Sequence, residues 1–355
     1  MPICWPFFES CHAWRLLSPS SIDLLLDLYA AAAVLAALAF LRPASAAWAW
    51  WLLLALVCVQ VLIVAQDYRL RANQHYMAVW TTLVFLLVRG KRATLPLLIV
   101  SFYFWAGILK LDPDWLSGAA LSGRRPLFIP EPLVPAACAY VLLLELVMIF
   151  GLLARSRVLF YGAMAQVVLF HVCSWPVVGA FYPIVMFAIL TIFPLMRLLP
   201  APLSTRRHGM AAPAAVLVVF AFLQIAHHLF PGDTAITGEG RLFALHMLDA
   251  SVACRGRAIE HRRDGSSRER TLSTVVPVRI HCDPIVFWNL ARELCRRGSA
   301  DPQFANLDFL VQSRRTAQPP TELRTVVSIE DFCTSGTTYE VWRHNAWILP
   351  VQRAT

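Results

Sequence analysis

Residues 103–115 read "YFWAGILKLDPDW", which sets Tyr103, Gly107 and Lys110 at i, i+4 and i+7 on one helix face. The lysine is out of keeping with the chain. Of 31 lysines and arginines, only Lys91 and Lys110 are lysines. Arginine stays protonated in proteins, whereas a desolvated lysine can release its proton. A lysine at the mouth of an apolar pocket can therefore serve as a general base. Gly107 leaves room beside it for a flat ring or a neighbouring helix. The plainer alternative is a lysine whose ammonium simply snorkels to the membrane interface.

The elements that must position this lysine are apolar helices. The chain has 355 residues, is 58% hydrophobic and has a mean hydropathy of +0.59, against roughly 45–50% apolar for soluble domains. The excess lies before residue 231, which divides the chain into a membrane part, 1–230, and a water-soluble part, 231–355. A span needs about 20 apolar residues. That window predicts eight spans, at 23–41, 47–65, 76–89, 94–110, 132–153, 158–177, 181–199 and 211–230. The third and fourth, joined by "RGKRA", read as a tight helical hairpin. The start of the chain lacks the basic-then-apolar pattern of a cleavable signal peptide.

Loop charges alternate. Arg42, Arg89, Lys91, Arg92, Arg155, Arg157, Arg197, Arg206 and Arg207 fall on one side; Arg69, Arg71, Arg124 and Arg125 fall on the other. The positive-inside rule puts the richer set in the cytoplasm and the N-terminus and soluble tail outside. Asn73, Gln74, His75, Lys110 and His171 then all approach the outer leaflet. Ionisable groups at such depth usually face a cavity or one another. Each also has a plain alternative: His75 as an interfacial loop residue, His171 as a packing residue. Glu145 and Gln166 read as interhelical glue, and Gln224, His227 and His228 as interfacial.

The net charge of +9 follows largely from these loops. The tail, with 16 Arg against 14 acidic residues, is nearly neutral, so nucleic acid is not an expected partner. The tail reads as mixed α/β. "GRAIEHRRDGSSRERTLS" carries a hairpin signal at Asp-Gly. "DPIVFWNLARELCRRG" reads as a helix capped by Asp283 and ended by Gly298, its Phe287, Leu290 and Leu294 stripe packing on a small sheet. "NLDFLVQSRR" and "LRTVVSIEDF" alternate like strands. Cys58, Cys138 and Cys173 lie in spans; Cys4, Cys11, Cys254, Cys282, Cys295 and Cys333 face an oxidising compartment. No cysteine or histidine spacing is of the zinc type, and no metal is expected. The expected fold class is a polytopic α-helical membrane protein with a C-terminal extracytoplasmic, β-rich α/β domain.

"YFWAGILKLDPDWLSG" resembles the signature segment of the vitamin K-dependent gamma-carboxylase family, whose broader group is called the horizontally transferred transmembrane domain. The likeness continues in order. "ANQHYMAVW" resembles the family's N-N-H-x-Y segment, "RRPLFIP" the basic and then apolar-aromatic stretch after the signature, and "FHVCSW" an F-H-C segment. "LFALHMLDA", "HRRDGSSRERT" and "VVSIEDF" resemble the first part of the carboxylases' outer domain. Family members usually carry one more span before the segment matching Cys4 and a longer outer region; this chain is expected to lack both.

The resemblance implies a multi-pass cell-membrane enzyme that couples oxidation of reduced vitamin K or menaquinone by O2 to carboxylation of glutamate side chains with CO2. It makes Lys110 the base that deprotonates the hydroquinone, and His75 a helper in carbanion formation or CO2 addition. Asn73, Gln74, Tyr76, Tyr103 and His171 would line the site, with Gln74 replacing a family asparagine. Arg124 and Arg125 would hold the substrate carboxylate by paired hydrogen bonds. Asp112, Asp114 and Trp115 would fix the chain beyond the lysine. A Cys4–Cys295 bridge would staple the N-terminal segment to the outer domain. The implied partners are the lipid bilayer and a secreted, Glu-containing peptide. Two alternatives stay open: a quinol epoxidase or peptide-maturation enzyme without carboxylation, and a non-catalytic membrane assembly factor.

Overall fold

The computed structural model describes residues 5, 19–66, 68–121, 123–198, 211–245, 252–272, 280 and 282–352. Every predicted span contains helix. These are α1 (Pro19–Phe40), α2 (Ala46–Gln66), α3 (Asn73–Leu87), α4 (Lys91–Leu109), α5 (Val134–Leu146, followed by a 3-10 segment, Met148–Leu153), α6 (Arg157–Val178), α7 (Phe181–Leu190), α8 (Ile192–Leu198) and α9 (Ala211–Ile225). Among the described residues, six helical stretches are long and apolar enough to cross a membrane: Pro43–Ala65, Lys91–Leu109, Glu131–Leu153, Arg157–Val178, Phe181–Leu198 and Ala211–Leu229. Helix α3, with 15 residues, falls short of the roughly 20 that a bilayer core requires. The bundle core centres on α4: Leu98, Ile99 and Phe102 are fully enclosed with Leu144, Ile149, Phe160, Val167, Met186 and Phe220 from the helices around it.

The C-terminal part is an antiparallel sheet of β1 (Val252–Arg262), β2 (Ser267–Thr271), β3 (Phe304–Arg315) and β4 (Arg324–Ile329), in the order β2-β1-β3-β4. The Asp264-Gly265 turn joins β1 to β2, with Gly265 at φ 80°, a conformation glycine adopts without strain. Helix α10 (Pro284–Gly298) covers the sheet. Asp283 caps it by accepting the Ile285 N–H at 3.1 Å. Phe287 and Leu290 enter the core with Ala258, Leu307, Phe309 and Val311, and Leu294 packs at its edge. Gly256 of β1 admits the Phe287 ring, since a Cβ there would lie 2.8 Å from Cε1.

Two disulfides pin this domain. Cys254–Cys282 ties β1 to the segment before α10, and Cys295–Cys333 ties the end of α10 to the loop after β4. The second corrects the expected Cys4–Cys295 bridge. The last turn of α10 and the loop after β4 bring the Cα atoms of Cys295 and Cys333 to 5.5 Å, within the usual span of a disulfide. Cys295 is thereby occupied, and Cys4 and Cys11 lie outside the described residues.

The two parts interlock. Tyr68, between α2 and α3, is buried in the outer core and donates its hydroxyl to Asp283 at 2.9 Å. Burial, with the Asp283 carboxylate beside it, raises the pKa of that phenol well above its ordinary range. Arg71 donates to the carbonyls of Arg241 and Leu242. The C-terminal domain therefore sits on the end of the bundle that carries the start of α3 and the end of α4.

Candidate functional site

Lys110 is the C-cap of α4, its N–H donating to the Gly107 carbonyl at 3.0 Å. The side chain does not snorkel: the residue is 7% exposed. Its Nζ donates to Glu145 Oε1 of α5 in an ion pair, and Glu145 is 2% exposed. The rings of Trp115 and Phe170 lie 5.1 and 5.9 Å from Nζ. Gly107 makes the pairing possible, because a Cβ there would stand 2.9 Å from Leu146 Cδ2 and 3.0 Å from Glu145 Cβ. The space beside Gly107 is thus filled by α5.

Lys110 opens onto a cavity of about 280 Å³. Asn73, Gln74 and Met77 of α3 form one wall, Ala106 and Trp115 another, and Cys138, Tyr140 and Val141 of α5 a third. Gln166, Leu169, Phe170 and Cys173 of α6 and Tyr182 of α7 complete it. The lining is mainly apolar, and its polar side chains include Lys110, Asn73, Gln74, Tyr140 and Gln166. Gln74 Oε1 is buried with no hydrogen-bond partner among the described residues. Tyr140 and Leu169 also lie exposed on the outside of the bundle, so the cavity reaches the surface between α5 and α6. There the Tyr140 hydroxyl donates to Gln166 Oε1.

The other expected site residues divide. Tyr103 and His171 sit one layer behind the cavity, with the phenol oxygen 2.7 Å from His171 Nε2. His171 is enclosed by Phe170, Tyr182 and Phe187, at ring distances of 4.9, 5.8 and 5.9 Å. His75 is outside the cavity lining and packs at 5.6 Å from the Phe181 ring. Tyr76 packs against Trp80 and Phe220 and meets Gln224 Nε2 at 3.4 Å. Arg124 borders the cavity and donates to the Val177 carbonyl at 3.0 Å. Arg125 departs from the expected pair: it is exposed and bound to Glu131 at 2.5 Å. The two guanidinium groups take different partners, the Val177 carbonyl and Glu131, and do not converge.

Beyond Lys110 the chain is fastened by the C-terminal domain. Asp112 caps a short helix, Pro113–Leu116, by accepting the Asp114 N–H at 2.8 Å. Arg315, the last residue of β3, reaches Asp112 at 2.8 Å and Asp114 at 3.1 Å, and grips both oxygens of Asp233 at 2.6 and 2.8 Å. The Ala317 N–H adds a bond to Asp114 Oδ1 at 2.7 Å. Burial raises the Asp114 carboxyl pKa above its usual value, although the Ala317 N–H and Arg315 oppose that rise. For Arg315, burial works against the cation, and the aspartates around it, Asp233 foremost, more than restore it. Trp115 is held by its Nε1–H bond to the Cys138 carbonyl at 3.0 Å.

Glu145 and Arg315 are two positions at the candidate site that residue spacing did not single out. Each meets its partner through the fold, 35 residues away for Glu145 and Lys110 and 201 for Arg315 and Asp114. No family model, curated protein or solved structure matches the chain.

Proposed function

We propose that the chain is a membrane enzyme of the vitamin K-dependent gamma-carboxylase type. It takes a proton from a lipid-soluble hydroquinone through Lys110 and uses the oxidation of that quinol to carboxylate glutamate side chains. In this reading the eight predicted spans cross the bilayer, with α7 and α8 forming one of them, and the cavity and C-terminal domain face the extracytoplasmic side. The single observation that carries the proposal is the buried Lys110–Glu145 pair at the wall of an apolar cavity. Ion pairs at such depth are costly and mark function; a structural tie between α4 and α5 could be made by apolar packing at lower cost.

The residues present suit a hydroquinone. The cavity volume, about 280 Å³, is near the lower end of small-molecule pockets, roughly 300 Å³. The mouth between α5 and α6 opens where a lipid-soluble molecule would arrive. Gln74 Oε1, buried and unpartnered among the described residues, offers an acceptor for a ligand hydroxyl. When bound, the quinol supplies the reducing electrons and, after reaction with O2, the base strength needed to abstract a γ-proton. Lys110 then holds a proton at Nζ. Trp115, Phe170 and the apolar wall exclude water, which would otherwise quench a carbanion.

A second reading, quinol oxidation without carboxylation, is favoured by one observation. Arg125 is bound to Glu131 at the surface, so of the pair expected to hold a glutamate carboxylate only Arg124 borders the cavity. Purified protein, given reduced menaquinone, O2, labelled bicarbonate and a Glu-containing peptide, separates the readings. Epoxide with labelled peptide supports the first and epoxide alone the second. Neither product, from protein verified as folded, overturns both.

A further inference from the structure

We infer that Glu145 is the second half of the base: it stores the proton that Lys110 must shed before Lys110 can accept one from a ligand. This rests on, and deepens, the quinol reading above.

Three features carry it. The first is order. Lys110 lines the cavity and Glu145 does not, so the groups stand in the sequence cavity, Nζ, carboxylate. The second is contact. Nζ donates directly to Oε1, and Gly107 has no side chain to hold the helices apart. The third is the other carboxylate oxygen. Oε2 is buried and has no partner among the described residues. An ionised carboxylate with one bare oxygen in apolar surroundings is costly, and its neutral acid is much less so.

The step balances in protons and charge. At rest the pair is ammonium and carboxylate, with net charge zero. One N–H bond breaks as an O–H bond forms on Glu145, leaving a neutral amine and a neutral acid. The Nζ lone pair then takes the ligand's hydroxyl proton: that O–H bond breaks and a new N–H bond forms. The ligand is left as an anion beside an ammonium and a neutral carboxyl group. Total charge is zero throughout, as a site shielded from water requires. A lysine lacking Glu145 would either rest as an uncompensated buried cation, unable to accept a proton, or have to lose its proton to solvent. The ligand class follows: an uncharged weak acid bearing a phenol-type hydroxyl, of which a hydroquinone is one. A carboxylate ligand would bring an anion to an already neutral pair and could not prime it.

The test is infrared difference spectroscopy on the full chain in nanodiscs, with reduced menadione added under argon; quenching of tryptophan fluorescence, to which the cavity's Trp115 contributes, reports binding. Expected is a protonated-carboxyl band that appears on binding in the wild type, is missing in Glu145→Gln and is kept but shifted in Glu145→Asp. With O2 admitted, Glu145→Gln should lose quinol turnover by about 10²–10⁴-fold in kcat, the range of a general acid–base group, with a much smaller change in KM. Binding without a Glu145-dependent band overturns the relay and leaves the quinol reading standing, as does undiminished turnover in Glu145→Gln. Absence of binding to the folded wild type overturns the quinol reading and the relay with it. Glu145→Asp keeps the question decidable if Glu145→Gln does not fold.

Discussion

Arg315, at the end of β3, is bonded to Asp112, two residues beyond Lys110, at 2.8 Å. The same guanidinium holds Asp114 and Asp233, so one side chain joins the sheet, the chain entering the C-terminal domain and the end of α4.

Arg315→Ala removes the cation that ties Asp112, Asp114 and Asp233 together, leaving those buried carboxylates without it. Breaking such a pair from one side costs about 3–5 kcal/mol. Thermal unfolding in detergent should show a loss of that order. Arg315→Lys should recover only part of it, because a lysine cannot grip Asp233 through two nitrogens. Equal stability of all three proteins would contradict the clamp.

Lys110→Arg keeps a positive charge for Glu145 but removes the releasable proton. The variant should fold, with melting behaviour near that of the wild type, while quinol oxidation falls at least about 100-fold, the lower end for a lost general base. Retained turnover would mean that Lys110 is a structural cation, as the assembly-factor reading requires.

Gly107→Ala should destabilise even though alanine is the better helix former. The new Cβ would meet Leu146 at 2.9 Å and Glu145 at 3.0 Å, and overpacking of this kind costs about 1–3 kcal/mol. Gly162, in α6, is the control: a Cβ there meets nothing within 4 Å, so Gly162→Ala should stabilise by up to about 1 kcal/mol. Unfolding measurements on the pair should move in opposite directions.

Glu293 gives a pH signature in the outer domain. Hydrogen bonds from Arg296, then Arg297, hold its carboxyl at about 2, below its ordinary 4.5. A depressed carboxylate contributes stability that is complete above the unfolded value and is lost as pH falls through the folded one. The stability difference between wild type and Glu293→Gln should therefore be constant above pH 4.5 and shrink as pH falls towards 2. A difference that does not change over that window would contradict the assigned interaction.

Helices were legible wherever the apolar run was continuous, as from Leu95 to Leu109. The outer domain was legible because its punctuation is local: Asp264-Gly265 for the hairpin, Asp283-Pro284 for the helix start. The site was legible only in part. Lys110, Asn73 and Gln74 meet at one cavity, and the rarity of lysine drew attention to the first. Glu145 was not legible as its partner, since a single acid in an apolar run reads the same whether it ties helices together or faces a base. Arg315 ends an alternating strand, where an arginine ordinarily meets water. Arg125 and His75 stand next in sequence to cavity residues yet face elsewhere, because neighbouring side chains on a loop or helix point in different directions. Cysteine pairing depends on which segments meet in space, and position along the chain does not fix it.

The Arg315 clamp also sets an order of assembly. Asp114 and Arg315 are 201 residues apart in the chain, and at about 5–20 residues per second a ribosome needs some 10–40 seconds to cover that distance. The apolar helices have left the ribosome before the strand that fastens Lys110's end of α4 is made. The nascent protein thus passes through a stage in which the helices have been made and the Asp112–Asp114 segment beyond Lys110 is not yet fastened. The Lys110 end of the molecule is completed last, once the folding C-terminal domain has delivered Arg315.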